Sequence, residues 1–500
     1  MNATTAPLRR WSATRSSTRA ATVFGVGALL LVFGWAIGAE HTKALLLILA
    51  IAGVAVLTLK QRGALVAILL LAGMDGIPFF NTERLVTGKL AVTDIAVITL
   101  LFIGVIWILL DGGPRAPTTA ARAISRIGVL LALWWAYVMA RTLIEQNVPL
   151  LRAAYFGRDF ILFALLLVVL PRVRVAERDI AVFLGILAVG VCLFAVGQIM
   201  TATGIGQPGG LIHFHYTLTE SGLTRVYSSM TDLVTASLAA SIAAGLLARQ
   251  RRLRLISLPI MVLLLVSTIV QLTRARWIGL IIGVVLVSLW LVVGSSFSTG
   301  STLRRRLSFV LVSFALLLVV AIVVVPSLIS GGEVVNRVTS IFSDLQSGSG
   351  TVAIREAVTH TMKVVLGEQW PFGLGFIPPF SHYYLGLPGG SIRDPDLGVL
   401  NAVMTMGVLG AVLIYLPVLI VLFECLRRLS RSTISDYSWL LYGGAIWLVA
   451  TLASSVTLVT LFSTSGLALA AVMLAILTRV EPLSRSAVVP SAAASADRRT

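Results

Sequence analysis

Charge is scarce in this chain. Only 12% of its 500 residues are Asp, Glu, Lys or Arg, against about a quarter in a water-soluble globule. Cysteine is scarcer still: Cys192 and Cys425 fall in or at the ends of different apolar runs, which excludes a disulfide framework. His213-Phe-His215 has a spacing that invites a metal reading. A closed zinc site needs about four ligands, however, and no Cys, His or carboxylate cluster accompanies the pair. The shortage of charge rules out a soluble enzyme, and the lack of dense acidic clusters argues against a resident metal or cofactor.

What the chain has is apolar sequence. Hydrophobic residues make up 57% of it, and runs of spanning length recur from Ala21 to Thr478. Inside a bilayer such runs satisfy their backbone as helices, and their pattern does not alternate as barrel strands do. The fold class read from this is all-α, a polytopic membrane protein. Fourteen stretches qualify, from 21–39 to 459–478. The third, 63–74, is short, and 437–457 and 459–478 nearly touch, so the reading is about 12 to 14 transmembrane helices. Residues 1–20 and 481–500 read as tails, 21–326 as an N-terminal transmembrane bundle, 327–396 as a long extracytoplasmic loop and 397–480 as C-terminal transmembrane helices.

The net charge of +18 is a topology signal rather than a nucleic-acid footprint. Arg9, Arg10, Arg172, Arg174, Arg251 and Arg252 all fall on one side if the N-terminus is cytoplasmic. That orientation leaves the 203–227 and 327–396 loops outside the cell membrane and both termini in the cytoplasm.

The outer segments hold the candidate chemistry. Arg158 and Asp159 stand one turn inside a span, where charge needs a partner or a wet cavity; mutual pairing or headgroup contact competes with a substrate role. Arg274 and Arg276 occupy a tight outer hairpin, where positive-inside sorting does not explain them. Headgroup anchoring with Trp277 at the interface competes there with a guanidinium fork for a phosphate. Trp134 and Trp135 read as packing. Thr351–Leu366 places Val358, Met362, Val365 and Leu366 on one face, predicting a short amphipathic helix on the outer surface. Trp370-Pro371 stops it, and Gly373 and Gly375 permit a tight turn.

Four separated segments then resemble one family. Leu272-Thr-Arg274-Ala-Arg276-Trp277-Ile-Gly279-Leu280 is similar to the Ser-Arg-Gly-Ala-Trp segment of the O-antigen ligase and O-antigen polymerase family of bacterial glycosyltransferases. Arg355 followed by Trp370-Pro-Phe-Gly-Leu-Gly375 resembles that family's arginine-headed loop helix ending in Pro-x-x-Gly-x-Gly. The stretch from Asp396 to Gly407-Val-Leu-Gly410 resembles its His-Asn-x-Tyr-Leu stretch ending in Gly-x-x-Gly, and Arg225 fits the arginine before the mid-chain span. Counted back from Gly407, Asp396 stands where the family often has His, and Leu397 where it has Asn. An acid there is similar to polymerase-type members.

The resemblance implies a lipid-linked glycan donor on a polyprenyl diphosphate, a glycan or envelope acceptor, and the lipid bilayer as surroundings, with no nucleic-acid partner. Arg225, Arg274 or Arg276, and Arg355 would hold the diphosphate and stabilise its growing charge. Asp396, Asp394 or His382 would take the acceptor proton. A transporter or lipid-linked-glycan flippase is the competing class; it would keep its ionisable groups near mid-membrane and show repeated halves.

Overall fold

The structure, a computed structural model, describes residues 61–74, 92–111, 118–203, 216–220, 223–271, 273–294, 351–377, 398–431, 437–456, 458, 461 and 463–480. The spans expected at 21–39, 44–59 and 307–326, both tails, and Asp394 and Asp396 lie outside these residues. Among the described residues the helices are α1 (Arg62–Gly73), α2 (Val92–Leu110), α3 (Thr119–Glu145), α4 (Leu150–Val169), α5 (Glu177–Ala202), α6 (Met230–Leu247), α7 (Arg251–Val270), α8 (Arg274–Gly294), α9 (Thr351–Leu366), α10 (Gly398–Arg431), α11 (Ser438–Ser454) and α12 (Thr464–Leu477). Seven of them are long and apolar enough to cross a membrane. The shorter apolar helices α1, α8, α11 and α12 pack among these. The protein is an all-α, multi-pass membrane protein.

One short β-hairpin departs from the purely helical expectation. Strands β1 (Tyr216–Glu220) and β2 (Leu223–Tyr227) pair antiparallel, with Leu218 opposite Arg225. β-Branched residues two apart on either side of Ser221-Gly222, Thr217 and Thr219 before it and Thr224 and Val226 after it, carry the hairpin signal in the sequence.

Cross-helix bonds sort the helix ends into two faces. At the basic face Arg62, at the start of α1, holds both oxygens of Asp111 just past α2, at 2.6 and 2.8 Å, and donates to the Arg174 carbonyl at 3.0 Å. This bond holds the Asp111 carboxyl below its usual range. The stabilisation it gives is therefore present above the ordinary carboxylate pKa and lost as pH falls through the lowered value. On the same face Arg428 of α10 donates to the Val480 carbonyl (2.8 Å) and Arg479 to that of Pro171 (2.7 Å). These arginines tie helix C-termini together, where backbone carbonyls are left over and positive charge is favoured.

At the opposite face the ends of α3, α5, α7 and α11 meet the starts of α2, α4, α6, α8, α10 and α12. Arg158 of α4 reaches Asp94 of α2 at 3.1 Å and its neighbour Asp159 at 3.5 Å, while Thr464 at the head of α12 donates to Asp159 at 2.6 Å. Asp94 is only 1% exposed, and a carboxylate so deep is retained by its ion pair. The Arg158–Asp159 neighbours are thus engaged within the bundle, and Asp94, which the sequence reading passed over, is their third member.

Close helix contact is set by small residues. A Cβ on Gly279 or Gly283 of α8 would stand 2.7 Å from the Ala450 carbonyl oxygen or 2.5 Å from that of Ile446, so this four-residue glycine spacing lets α8 lie directly on α11.

The two-faced arrangement has a direct check. Cysteine placed at exposed Glu368, beyond α9, and at exposed Glu177, at the start of α5, should react with a membrane-impermeant maleimide from opposite sides. Intact cells should label one position and only permeabilised cells the other; labelling of both in intact cells would contradict the arrangement.

Candidate functional site

Helix α10 is broken. Gly407 has φ 71° and ψ 177°, a backbone conformation outside the helix and essentially restricted to glycine. It lies about 14 Å along α10 from Gly398, at the helical rise of about 1.5 Å per residue. A break at that depth frees backbone donors and acceptors where water cannot serve them.

The segment after α9 fills the break. The Met404 carbonyl accepts from the Leu374 amide at 2.7 Å, and the Thr405 carbonyl from that of Gly375 at 3.0 Å. The Met406 carbonyl accepts from the Trp134 indole Nε1 at 2.9 Å. Beyond the break, the Val408 and Leu409 amides donate to the carbonyls of Trp370 (3.0 Å) and Pro371 (3.5 Å). Residues 370–375 therefore form a peg seated in the helix.

Glycine spacing makes the seating possible. Gly373 and Gly375 have φ of +76° and +96°, as the expected tight turn requires. A Cβ on Gly373 would stand 2.4 Å from the Gly407 amide nitrogen, and one on Gly407 would stand 2.1 Å from the Pro371 carbonyl oxygen. The two glycine motifs, read separately in sequence, are the two halves of one contact. Their use is backbone packing rather than cradling a phosphate.

Helix α3 holds the peg from the side. Thr142 accepts the Phe376 amide at 3.0 Å while donating to the Val138 carbonyl at 2.7 Å. Arg141 donates to the Gly373 carbonyl at 3.3 Å, lies over the Phe372 ring at 5.7 Å, and is braced by Glu145 at 2.7 Å. Trp134 and Trp135 do more than pack, because the Trp135 indole donates to the Gly157 carbonyl at 2.7 Å and Trp134 completes the break. On the amphipathic face of α9, Met362 and Leu366 pack against the protein, buried with Leu374, Ile377 and Met404.

The arginine candidates sit at this same face of the bundle. Arg225 is carried on β2, which packs against α5. Arg274 opens α8, and Arg355 stands in the second turn of α9. The side chains of these three are outside the described residues. Arg276 is described, and it is already engaged: its Nη2 lies 2.7 Å from Asp232 Oδ1 on α6, and its Nη1 3.4 Å from Gln271 Oε1. Both members of the pair are largely buried. Trp277 does not anchor to headgroups; it is buried and donates to the Thr268 carbonyl at 2.8 Å. The hairpin carrying the two arginines is therefore locked by Arg276 and Trp277, with Arg274 next to the lock.

The structure thus brings Arg276 together with Asp232 and couples the arm of Arg355 to α10, whereas Asp394 and Asp396 fall outside it. Sequence reasoning missed Arg141, Thr142 and Asp94. The available signal was polar residues at span ends facing the same side as the arginine hairpin. Among the described residues no group of three or more His, Cys, Asp or Glu is placed to hold a metal ion.

Comparison with known proteins agrees with the motif reading. Residues 259–415 match the family model described as O-antigen ligase. The matched stretch runs from α7 through the arginine hairpin, α9 and the peg into α10 beyond Gly407. It supports assigning the chain to the O-antigen ligase/polymerase family, and with it an O-antigen ligase-type membrane glycosyltransferase at the family level. No curated protein matches the chain significantly.

The glycine contact predicts an asymmetry. Gly407→Ala should lower stability by about 1–3 kcal/mol from its restricted backbone conformation alone, and by more once the Pro371 clash is included. Gly185→Ala, at a helical site with nothing within 4 Å of the added Cβ, should leave stability unchanged or raise it by up to about 1 kcal/mol. Thermal unfolding of the two variants in detergent checks this; equal effects would remove the structural role given to Gly407.

Proposed function

We propose that this protein transfers a glycan from a polyprenyl diphosphate carrier to an acceptor hydroxyl on the extracytoplasmic side of the bacterial inner membrane, with the polymerase reaction preferred over ligation. The observation that carries this reading is the family match over 259–415, which contains Arg274, Arg276 and Arg355 together with the peg and the broken helix. The arginine-rich opposite face supports the orientation, since cytoplasmic segments collect Lys and Arg.

The reaction suits guanidinium chemistry. The acceptor oxygen attacks the sugar C1, the bond from C1 to the diphosphate oxygen breaks, and the lipid diphosphate leaves with the bonding electrons. One displacement inverts C1. Negative charge grows on the diphosphate, and planar guanidinium forks stabilise it more in the transition state than in the ground state. A departing diphosphate needs no acid, so the remaining requirement is a base for the acceptor proton. Asp396 is first choice for it, with Asp394 or His382 as alternatives. With arginine supplying the positive charge, the reading is metal-independent.

Within this reading the arginine pair divides its work. Arg276 is committed to Asp232 and positions the hairpin, and Arg274, together with Arg225 and Arg355, binds the diphosphate. A broken helix with an inserted segment also occurs in transporters, where unwound carbonyls face a cavity and bind ions. Here the carbonyls of Met404, Thr405 and Met406 already accept from Leu374, Gly375 and Trp134, which favours the enzyme.

The test uses the full chain in nanodiscs with lipid-linked repeats extracted from the cells that encode it. Arg274→Ala should fold normally and lose transfer by about 10² to 10³-fold, the range for removing one group that stabilises transition-state charge. Arg276→Ala should instead lower the yield of folded protein, because it leaves Asp232 buried without its partner, at about 3–5 kcal/mol. Products lengthened by several repeats mark a polymerase. Wild-type transfer by Arg274→Ala would remove Arg274 from the donor site, and absence of any transfer by wild type from such donors would overturn the reading.

A further inference from the structure

The geometry points to Thr142 and Arg141 as positioning residues for the transfer reaction, acting through the peg on α9 and so on Arg355. This rests on the proposed function, because it assumes that Arg355 works on the donor. It adds residues that neither the motifs nor the family match contains, since both stand on α3, far outside 259–415.

Three observations carry the inference. First, α9 is rigidly joined to the peg. Met362 and Leu366 on its last turns are buried against Leu374, Ile377 and Met404, and only the short 3-10 turn Gly367–Gln369 separates the helix from Trp370. Second, the peg has no freedom of its own. Its amides at Leu374 and Gly375 and its carbonyls at Trp370 and Pro371 are consumed by α10, and Gly375 has Thr142 Oγ1 2.4 Å from where its Cβ would be. Third, α3 takes two further polar groups, one in the peg and one just after it. The Phe376 amide goes to Thr142 at 3.0 Å and the Gly373 carbonyl to Arg141 at 3.3 Å. Phe376 itself is wholly buried, stacked near Phe160 at 6.1 Å between ring centroids.

Arg355 lies about 16 Å up α9 from Leu366, at about 1.5 Å per residue. A helix held at one end works as a lever, so a small rotation of the peg displaces Arg355 by more than the peg itself moves. Misplacement of a catalytic group by about 1 Å costs on the order of 10²-fold in rate. Thr142 sets the peg's lateral position through a hydroxyl that is itself held by the Val138 carbonyl. Arg141 sets its depth, with Glu145 and the Phe372 ring fixing the guanidinium. Neither residue touches substrate in this scheme.

The test is a double-mutant cycle on the full chain in nanodiscs, with extracted lipid-linked repeats as donor. Thr142→Val keeps the shape but removes the acceptor for the Phe376 amide, and it should lower kcat by about 10²-fold with little change in KM. Thr142→Ser, which keeps the hydroxyl, should restore the rate to within a few fold. Combined with Arg355→Ala, Thr142→Val should cause no further loss, because the group it positions is gone. Arg141→Gln provides a second, independent cycle should Thr142→Val fold poorly. Additive losses in both cycles would overturn the inference while leaving Arg355 a donor-binding residue, as would a wild-type rate in Thr142→Val alongside a large loss in Arg355→Ala. A wild-type rate in Arg355→Ala would overturn the donor-site reading itself, and this inference with it.

Discussion

Everything distinctive in this structure follows from one constraint: a helix cannot be interrupted inside a membrane unless another part of the protein takes over its backbone hydrogen bonds. At Gly407 the chain interrupts α10, and five backbone groups around the break are taken up by residues 370–375 and Trp134. The consequence runs outward from there. Glycine is required on both sides of the contact, α9 is anchored at its C-terminal end, and α3 is recruited to hold the peg. The interruption has a structural yield, since it converts a loop beyond the membrane surface into a part fixed against the transmembrane helices.

The second organising feature is electrostatic. Arginines at the basic face are spent on helix C-termini and on Asp111 and Glu424. At the other face two buried carboxylates, Asp94 and Asp232, hold Arg158 and Arg276. Pairs of this kind fix geometry more than they raise stability. They leave the local charge nearly balanced inside the bundle while Arg225, Arg274 and Arg355 stand at the same face on a hairpin, a helix start and a loop helix. An anionic carrier such as a diphosphate suits that distribution, and binding there demands no charge at mid-membrane.

Hydropathy made the bundle legible in the sequence, and the 3.6-residue period made α9 legible from Thr351 to Leu366. Both are local signals. The hairpin at 216–227 also had a local signal, alternation around Ser221-Gly222, but a chain so apolar turns attention to helices alone. What sequence could not convey was partnership over distance. Trp134 reads as packing until Met406, 272 positions away, supplies its acceptor. Thr142 is unremarked until Phe376 arrives from 234 positions on. The motif at Gly373 and Gly375 was legible as a turn, and its reciprocal relation with Gly407 was not, because neither motif names the other. Arg276 and Arg274 looked equivalent for a similar reason: Asp232, which separates their roles, lies 44 positions upstream of Arg276 on another helix.

The most direct measurement is amide hydrogen exchange on the protein in nanodiscs, resolved at Leu374, Gly375 and Val408. An open loop beside a continuous helix would exchange at Leu374 and Gly375 within seconds, as solvent-exposed amides do. A peg seated in a broken helix should protect all three as strongly as the interior amides of α11, and rapid exchange at Leu374 and Gly375 with protection at Val408 would contradict it.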